Sequence, residues 1–220
     1  MNQLWINKDI NRTCILFFNG WGMDKNAIAH LSFEGSDLCM FNDYRTIGPI
    51  LEKFTEYQNI VLVAWSLGVW GAEQAMLLSK IPVNKSIAIN GTPLPVHDEY
   101  GIPENVFVKT IQGWNEINRN KFNRRMMGSK SALTEFEQFL PDRSIIQQKS
   151  ELISIFEMQK NNRYQSGRFC WDVVIIGLND LIFPVANQQN WWIGKSKIIE
   201  IDQPHFPFKG FECWDQIIRF

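Results

Sequence analysis

Hydrophobic residues in this chain fall into two alternating patterns. Six short runs are almost continuously apolar and are bounded by turn-forming residues: 13–18, 37–41, 59–64, 85–89, 172–176 and 197–201. Runs of this length and character predict parallel strands covered on both faces. Between them, apolar positions recur at helical spacing over 47–54, 67–79, 186–193 and 210–218. Strands alternating with helices predict an α/β fold with a mostly parallel sheet flanked by helices. The alternation stops between about 93 and 167, where helical patterns at 106–114, 118–127, 133–140 and 144–160 have no strand between them. That stretch is too long for a plain loop. It predicts a helical insertion lying over the sheet as a cap, within one domain spanning residues 1–220.

Composition narrows the class without naming a chemistry. At 220 residues, with 45% hydrophobic and 20% charged residues, the chain can bury one full core. A net charge of −1 gives no general attraction to nucleic acid or to membrane. No apolar run reaches the ~18 residues of a spanning helix, and the amino terminus lacks the apolar stretch of a secretion signal. A cytoplasmic monomer, binding neither nucleic acid nor membrane, is expected. The cysteines Cys14, Cys39, Cys170 and Cys213 show no CxxC pair and no metal-ligand spacing. Most are expected to behave as small buried hydrophobes, with no metal and no cofactor. Nine tryptophans and sixteen phenylalanines are a high aromatic load, much of it expected in the core and some expected to line an apolar pocket.

The candidate chemistry begins at VLVAWSLGVWGA, residues 61–72. A strand-forming run stops at Ser66 with small residues two before it, Ala64, and two after it, Gly68, and a helical pattern follows. This is the arrangement of a nucleophile held at a tight strand-to-helix turn. A serine hydroxyl attacks well only if a base removes its proton, and the base needs an acid to fix its tautomer. WDVVIIGLNDLIFP places Asp180 just past a later strand, and KIIEIDQPHFPF places His205 just past the last one. Asp180 could also cap the helix after Pro184. Asp202 lies close to His205 in the chain, on the same strand end. His97 precedes any later acid, and His30 falls in a helical stretch. The two histidines are expected to be structural or rim residues, and Asp202 is disfavoured because the acid normally comes from an earlier strand. The order serine, acid, histidine is that of α/β-hydrolases. The negative oxygen of acyl transfer needs preorganised donors. The backbone N–H of Leu67 supplies one, and CILFFNGWGMD supplies a glycine-rich turn in which the Trp21 N–H is the other candidate.

With these motifs in place the chain resembles the BioG-type pimeloyl-acyl-carrier-protein methyl ester esterases. The resemblance rests on FFNGWGMD, AWSLGVW, AINGTPLPVHDEYGIP, IIGLNDLIFP and DQPHFPF. It implies an α/β-hydrolase fold, nucleophile Ser66, acid Asp180, base His205, oxyanion donors Trp21 and Leu67, and no cofactor. It further implies an esterase of biotin synthesis that removes the methyl group from a pimeloyl chain carried on acyl carrier protein. Two positions depart from the wider hydrolase pattern: Ala64 replaces a glycine, and Asn19 stands where many relatives have histidine. Carrier proteins are acidic, and NRNKFNRRMMGSK is basic with no acid among its residues. Arg119, Lys121, Arg124 and Arg125 are therefore candidate docking residues, the last three on one helical face. A thioesterase or a general carboxylesterase could use the same triad, and a non-catalytic binding protein could use the same scaffold.

Overall fold

Seven strands pair in the order β1-β3-β2-β4-β5-β6-β7 in the computed structural model, which describes all residues except 10, 11, 34, 53 and 162–165. They are β1 (Asn2–Asn7), β2 (Thr13–Phe18), β3 (Ser36–Asn42), β4 (Asn59–Trp65), β5 (Lys85–Ile89), β6 (Val173–Asn179) and β7 (Lys197–Pro204). All pairs are parallel except β1 with β3. The central strands are the continuously apolar ones. In β2 every residue from Cys14 onward is buried, and in β4 every residue from Ile60 onward, as a sheet covered on both faces requires.

The edges depart from that pattern. β1 is half exposed and antiparallel, and its mixed polar sequence gave no apolar run by which to predict it. β7, at the other edge, alternates between exposed and half-buried positions.

Among the described residues seven α-helices follow in chain order: α1 (Gly68–Ser79), α2 (Glu104–Gly113), α3 (Glu116–Met126), α4 (Lys130–Glu135), α5 (Ile145–Lys160), α6 (Val185–Trp192) and α7 (Trp214–Ile218). α2 to α5 all lie between β5 and β6 in the chain, within the stretch expected as an insertion. The longest, α5, starts at a capping box in which Ser144 and Gln147 satisfy each other's backbone N–H groups.

The helix expected over 47–54 is absent among its described residues, Lys53 lying outside them. Gly48 and Pro49 sit inside that stretch, and proline disfavours a helical residue before it and removes a donor. The pattern over 210–218 is helical only from Trp214, and 133–140 resolves into the end of α4 and a 3₁₀ turn at Glu137–Phe139.

Candidate active site

The carboxyl ends of β4, β5, β6 and β7 converge on one side chain, Ser66. It follows β4 with φ 59°, in the left-handed region, and its N–H is held by the carbonyl of Ile89 at 2.9 Å while its own carbonyl accepts from Val69 at 3.0 Å. α1 begins two residues later. A Cβ on Gly68 would lie 2.4 Å from the Phe18 carbonyl oxygen, so a side chain there would drive the helix off the sheet. That contact is the physical reason for the small residue after the turn.

His205 follows β7 and Asp180 follows β6. His205 Nε2 is 2.9 Å from Ser66 Oγ, and His205 Nδ1 is 2.8 Å from Asp180 Oδ2. All three residues are buried. Asp180 also accepts from Gln188 Nε2 at 3.0 Å and from the N–H groups of Ile182 and Phe183 at 2.8 Å each. It therefore caps the turn before α6 and holds the imidazole at once. With its carboxylate so oriented, Nδ1 carries the proton and Nε2 is left to accept one from Ser66.

The other acid and histidines face elsewhere. Asp202 accepts from Asn179 at 2.6 Å, His30 contacts the Phe208 carbonyl at 3.0 Å, and His97 Nδ1 accepts from the Glu99 N–H at 3.1 Å.

Two residues without a role in the sequence reading organise this constellation. Asn90, at the end of β5 with φ 47°, accepts from the Gly177 N–H of β6 at 2.6 Å. Its amide donates to the carbonyls of Pro204 and His205 at 3.1 and 2.9 Å. It thus ties three strand ends together. Gln188 on α6 steadies Asp180. Asn90 lies in AINGTPLP, an asparagine before a glycine at a strand end, which was signal enough to mark the segment but not its job.

Trp21 and Leu67 both border the cleft beside Ser66. Among the described residues neither backbone N–H has an acceptor, which leaves both available to an oxygen in the cleft. The turn carrying Trp21 is tightly held. Asn19 accepts from the Gly20 N–H at 2.9 Å and donates to the Asp24 carbonyl at 2.8 Å, and Tyr44 donates to the Asn19 carbonyl at 2.6 Å. Asn19 thus braces the loop through both ends of its amide.

The cleft is lined mainly by apolar groups including Phe107, Phe122, Leu152 and Ile182, with Arg125 as its one cation among the described residues. Trp21, Trp114 and Phe122 pack ring against ring where α2 and α3 meet the turn.

Beside it, and sharing Val106, Thr110 and Arg125 with it, runs an open groove between α2 and α3 lined by Lys109, Lys121 and Arg124. Arg119 lies outside this groove. It pairs with Glu116 at 2.6 Å and donates to the Arg143 carbonyl at 3.3 Å.

Under the turn lies an ionic chain, buried except at its Arg45 end. Glu151 on α5 pairs with Arg143 at 2.5 Å, Arg143 lies 3.2 Å from Asp43, and Asp43 pairs with Arg45 at 2.5 Å. Burial pushes the Glu151 carboxyl above its ordinary value, against the pull of Arg143 and of the Tyr44 and Gly22 N–H groups. For Asp43 burial acts in the same sense but is outweighed by the two arginines, which hold its carboxyl below the usual range. Among the described residues all four cysteines are free, and only Cys170 is exposed. No helix of the described residues is long and apolar enough to cross a membrane.

Comparison with known proteins places this site in a family. A malonyl-[acyl-carrier protein] O-methyltransferase of Bacteroides fragilis is 39% identical over 183 residues, or 83% of this chain, although the chain spans only 37% of that protein's length. The crystal structure of BioG from Haemophilus influenzae superposes with a TM-score of 0.90 at 32% identity, covering 98% of this chain and 99% of that one. A hydrolase from Oleispira antarctica matches over 99% of this chain and 93% of its own, with a TM-score of 0.65 at 15% identity. At that identity it speaks for the fold alone, which is the α/β-hydrolase fold. The family model described as pimeloyl-ACP methyl esterase BioG matches residues 1–217. With a matched span of nearly the whole chain and a relative of the same length above 30% identity, this chain belongs to the BioG family.

Proposed function

We infer that the protein is a serine esterase that hydrolyses the methyl ester of a pimeloyl chain carried on acyl carrier protein, releasing methanol and leaving pimeloyl-carrier protein for biotin synthesis. The observation that carries this reading is the hydrogen-bonded chain Ser66–His205–Asp180 facing an apolar cleft that Trp21 and Leu67 also border. Ser66 is the nucleophile. Its proton passes to His205 Nε2 as Oγ attacks the ester carbonyl, and Asp180 stabilises the imidazolium. The carbonyl oxygen, now negative, takes the N–H groups of Trp21 and Leu67. Collapse expels methoxide, which leaves as methanol with the proton from His205. Water then attacks the acyl-enzyme with His205 as base, and the carboxylate product departs with its thioester intact.

The cleft suits a chain of methylenes, and the groove that continues from it suits an anion. Helices α2–α5 act as the cap that builds both, a helical insertion within one hydrolase domain. Lys121 and Arg124, with Lys109 and Arg125, form the docking face for the acidic carrier, while Arg119 is engaged by Glu116 and the Arg143 carbonyl. The deciding experiment is mass spectrometry of carrier protein loaded with the pimeloyl methyl ester. Loss of the methyl group with the acyl chain retained, abolished by Ser66→Ala, is expected. Release of free carrier would instead mean a thioesterase, and an inert wild type that also resists a fluorophosphonate probe would mean a binding protein.

A further inference from the structure

The turn that presents Trp21 is held from the cap, by one face of α5. Gly22, with φ +72°, uses both its backbone groups on that helix. Its N–H donates to Glu151 Oε2 at 3.1 Å, and its carbonyl accepts from Gln148 Nε2 at 3.1 Å. The Trp21 indole N–H donates to the backbone carbonyl of Gln148 at 2.8 Å. Gln148 and Glu151 are three apart and so share a helix face, and both are buried. A Cβ at Gly22 would come within 3.2 Å of the Gln148 amide, so the turn and the helix fit without spare room. Glu151 is fixed in its turn, since its other oxygen accepts from the Tyr44 N–H at 2.9 Å and Arg143 pairs with it at 2.5 Å.

Resting on the esterase reading above, we propose that Gln148 and Glu151 are positioning residues that set the direction of the Trp21 N–H in the oxyanion hole. They do so by fixing the peptides on both sides of Gly22. The indole bond fixes Trp21 itself, and Asn19 fixes the turn from its other end. A carboxylate and a carboxamide are used because one backbone donor and one backbone acceptor must both be met in a buried site. The acid is buried at a cost that the paired arginine and the Tyr44 and Gly22 N–H groups offset in part. The consequence is that α5, a cap helix, and the oxyanion donor move as one piece. A cap displaced from the sheet would lose the donor while leaving Ser66, His205 and Asp180 in register.

The test is Gln148→Met, which removes the donor to Gly22 while keeping length, helix and the backbone carbonyl that holds the indole. The probes are a small p-nitrophenyl ester and an alkylboronic acid, whose tetrahedral adduct on Ser66 places an oxygen in the hole. The expected result is a fall in kcat of about 10- to 100-fold, matched by an equal loss of boronate affinity. KM should change less than about threefold and Tm by less than about 3 °C, a split that general loosening would not produce. Glu151→Met, which removes the acceptor of the Gly22 N–H, is the second variant and should show the same split. Where it fails to fold because Arg143 is stranded, Glu151→Met combined with Arg143→Met keeps the site neutral.

Unchanged kcat and boronate affinity in folded variants would overturn the inference and leave the esterase reading standing, as would KM and kcat falling together with Tm. A wild type that neither cleaves the ester nor binds the boronate would overturn the esterase reading itself, and this inference with it.

Discussion

Trp65, the residue before Ser66, donates its indole N–H to the backbone carbonyl of His205 at 2.8 Å. The two strand ends that carry Ser66 and His205 are thereby joined directly, across 140 positions of sequence, and the Trp65 and His205 rings lie 5.5 Å apart. Trp65→Phe keeps an aromatic ring and removes the donor. Stability should fall by about 1 kcal/mol for the lost hydrogen bond. Activity should fall more, by about 10-fold in kcat, because catalysis depends on the position of the imidazole to a fraction of an ångström. Denaturant unfolding and steady-state kinetics on one preparation check both. Loss of stability without loss of kcat would show that Asn90 alone holds the His205 carbonyl.

Asp180→Asn tests the direction of the proton on His205. The amide would present N–H where the carboxylate accepted one, and the imidazole would turn to its other tautomer, with no lone pair facing Ser66. A drop in kcat of about 10⁴-fold is expected, with fluorophosphonate labelling of Ser66 slowed in parallel. Because Ile182, Phe183 and Gln188 also bond Asp180, a small loss of Tm should accompany it.

Charge reversal in the groove separates docking from chemistry. Arg125 lines both the cleft and the groove, so its replacement would confuse the two. Lys121→Glu with Arg124→Glu is the cleaner pair. KM for the carrier-bound ester should rise by about 10-fold or more and become less sensitive to salt, with far smaller changes on a small ester. Equal effects on the two substrates would place the carrier on another face.

Glu73, on α1 and fully buried, accepts the Arg168 N–H at 2.9 Å. Burial raises its carboxyl to about 7, the neighbouring N–H donors opposing this only in part. An acid whose folded value is raised gives stability that is complete below its unfolded value, near 4.5, and is lost as the pH climbs toward 7. The loss over that window is on the order of 3 kcal/mol. Glu73→Gln keeps an acceptor for Arg168 and cannot ionise. Its Tm should therefore gain on wild type from pH 5 to pH 8. A Tm difference that stays constant with pH would mean that Glu73 is already charged at pH 5.

Thiol reactivity offers a check on the packing. Only Cys170 is exposed, and burial holds the Cys14 and Cys39 thiols above their ordinary value, Cys39 at about 12. A disulfide reagent should titrate one thiol quickly in the native protein and all four after unfolding.

Much of the architecture was legible in the sequence because buried parallel strands leave a plain mark. β2 and β5 match the predicted runs residue for residue, β3 extends its run by one residue at each end, β4 and β7 extend theirs at the carboxyl end, and β6 begins one residue later and ends three later than its run. Where burial is partial the mark fades. β1, half in water at the edge, was not foreseen, and the stretch 47–54 had helical spacing but held Gly48 and Pro49. Candidate site residues were visible where chemistry and local chain geometry coincide: a serine between small residues, an acid and a histidine each just past a strand. Sequence order then sufficed to nominate Ser66, Asp180 and His205, and the family followed from whole segments such as AINGTPLP and DQPHFPF.

What holds those groups was not legible, because it is made of backbone groups met by side chains from remote elements. Nothing near Gly22 in the chain points to Gln148 and Glu151, some 126 and 129 residues away. Nor does anything near Asn90 announce the carbonyl of His205. Arg119 and Arg125 share one short basic segment, yet folding turned the first to Glu116 and the second into the cleft. The sequence by itself determined every strand but β1, the elbow, the order of Ser66, Asp180 and His205, and the family. These depend on burial pattern and on steric limits within a few residues. Only the tertiary structure decided which polar groups brace the site and which cations line the cleft and its groove, since a buried donor takes whichever acceptor the packing of distant helices brings within 3 Å.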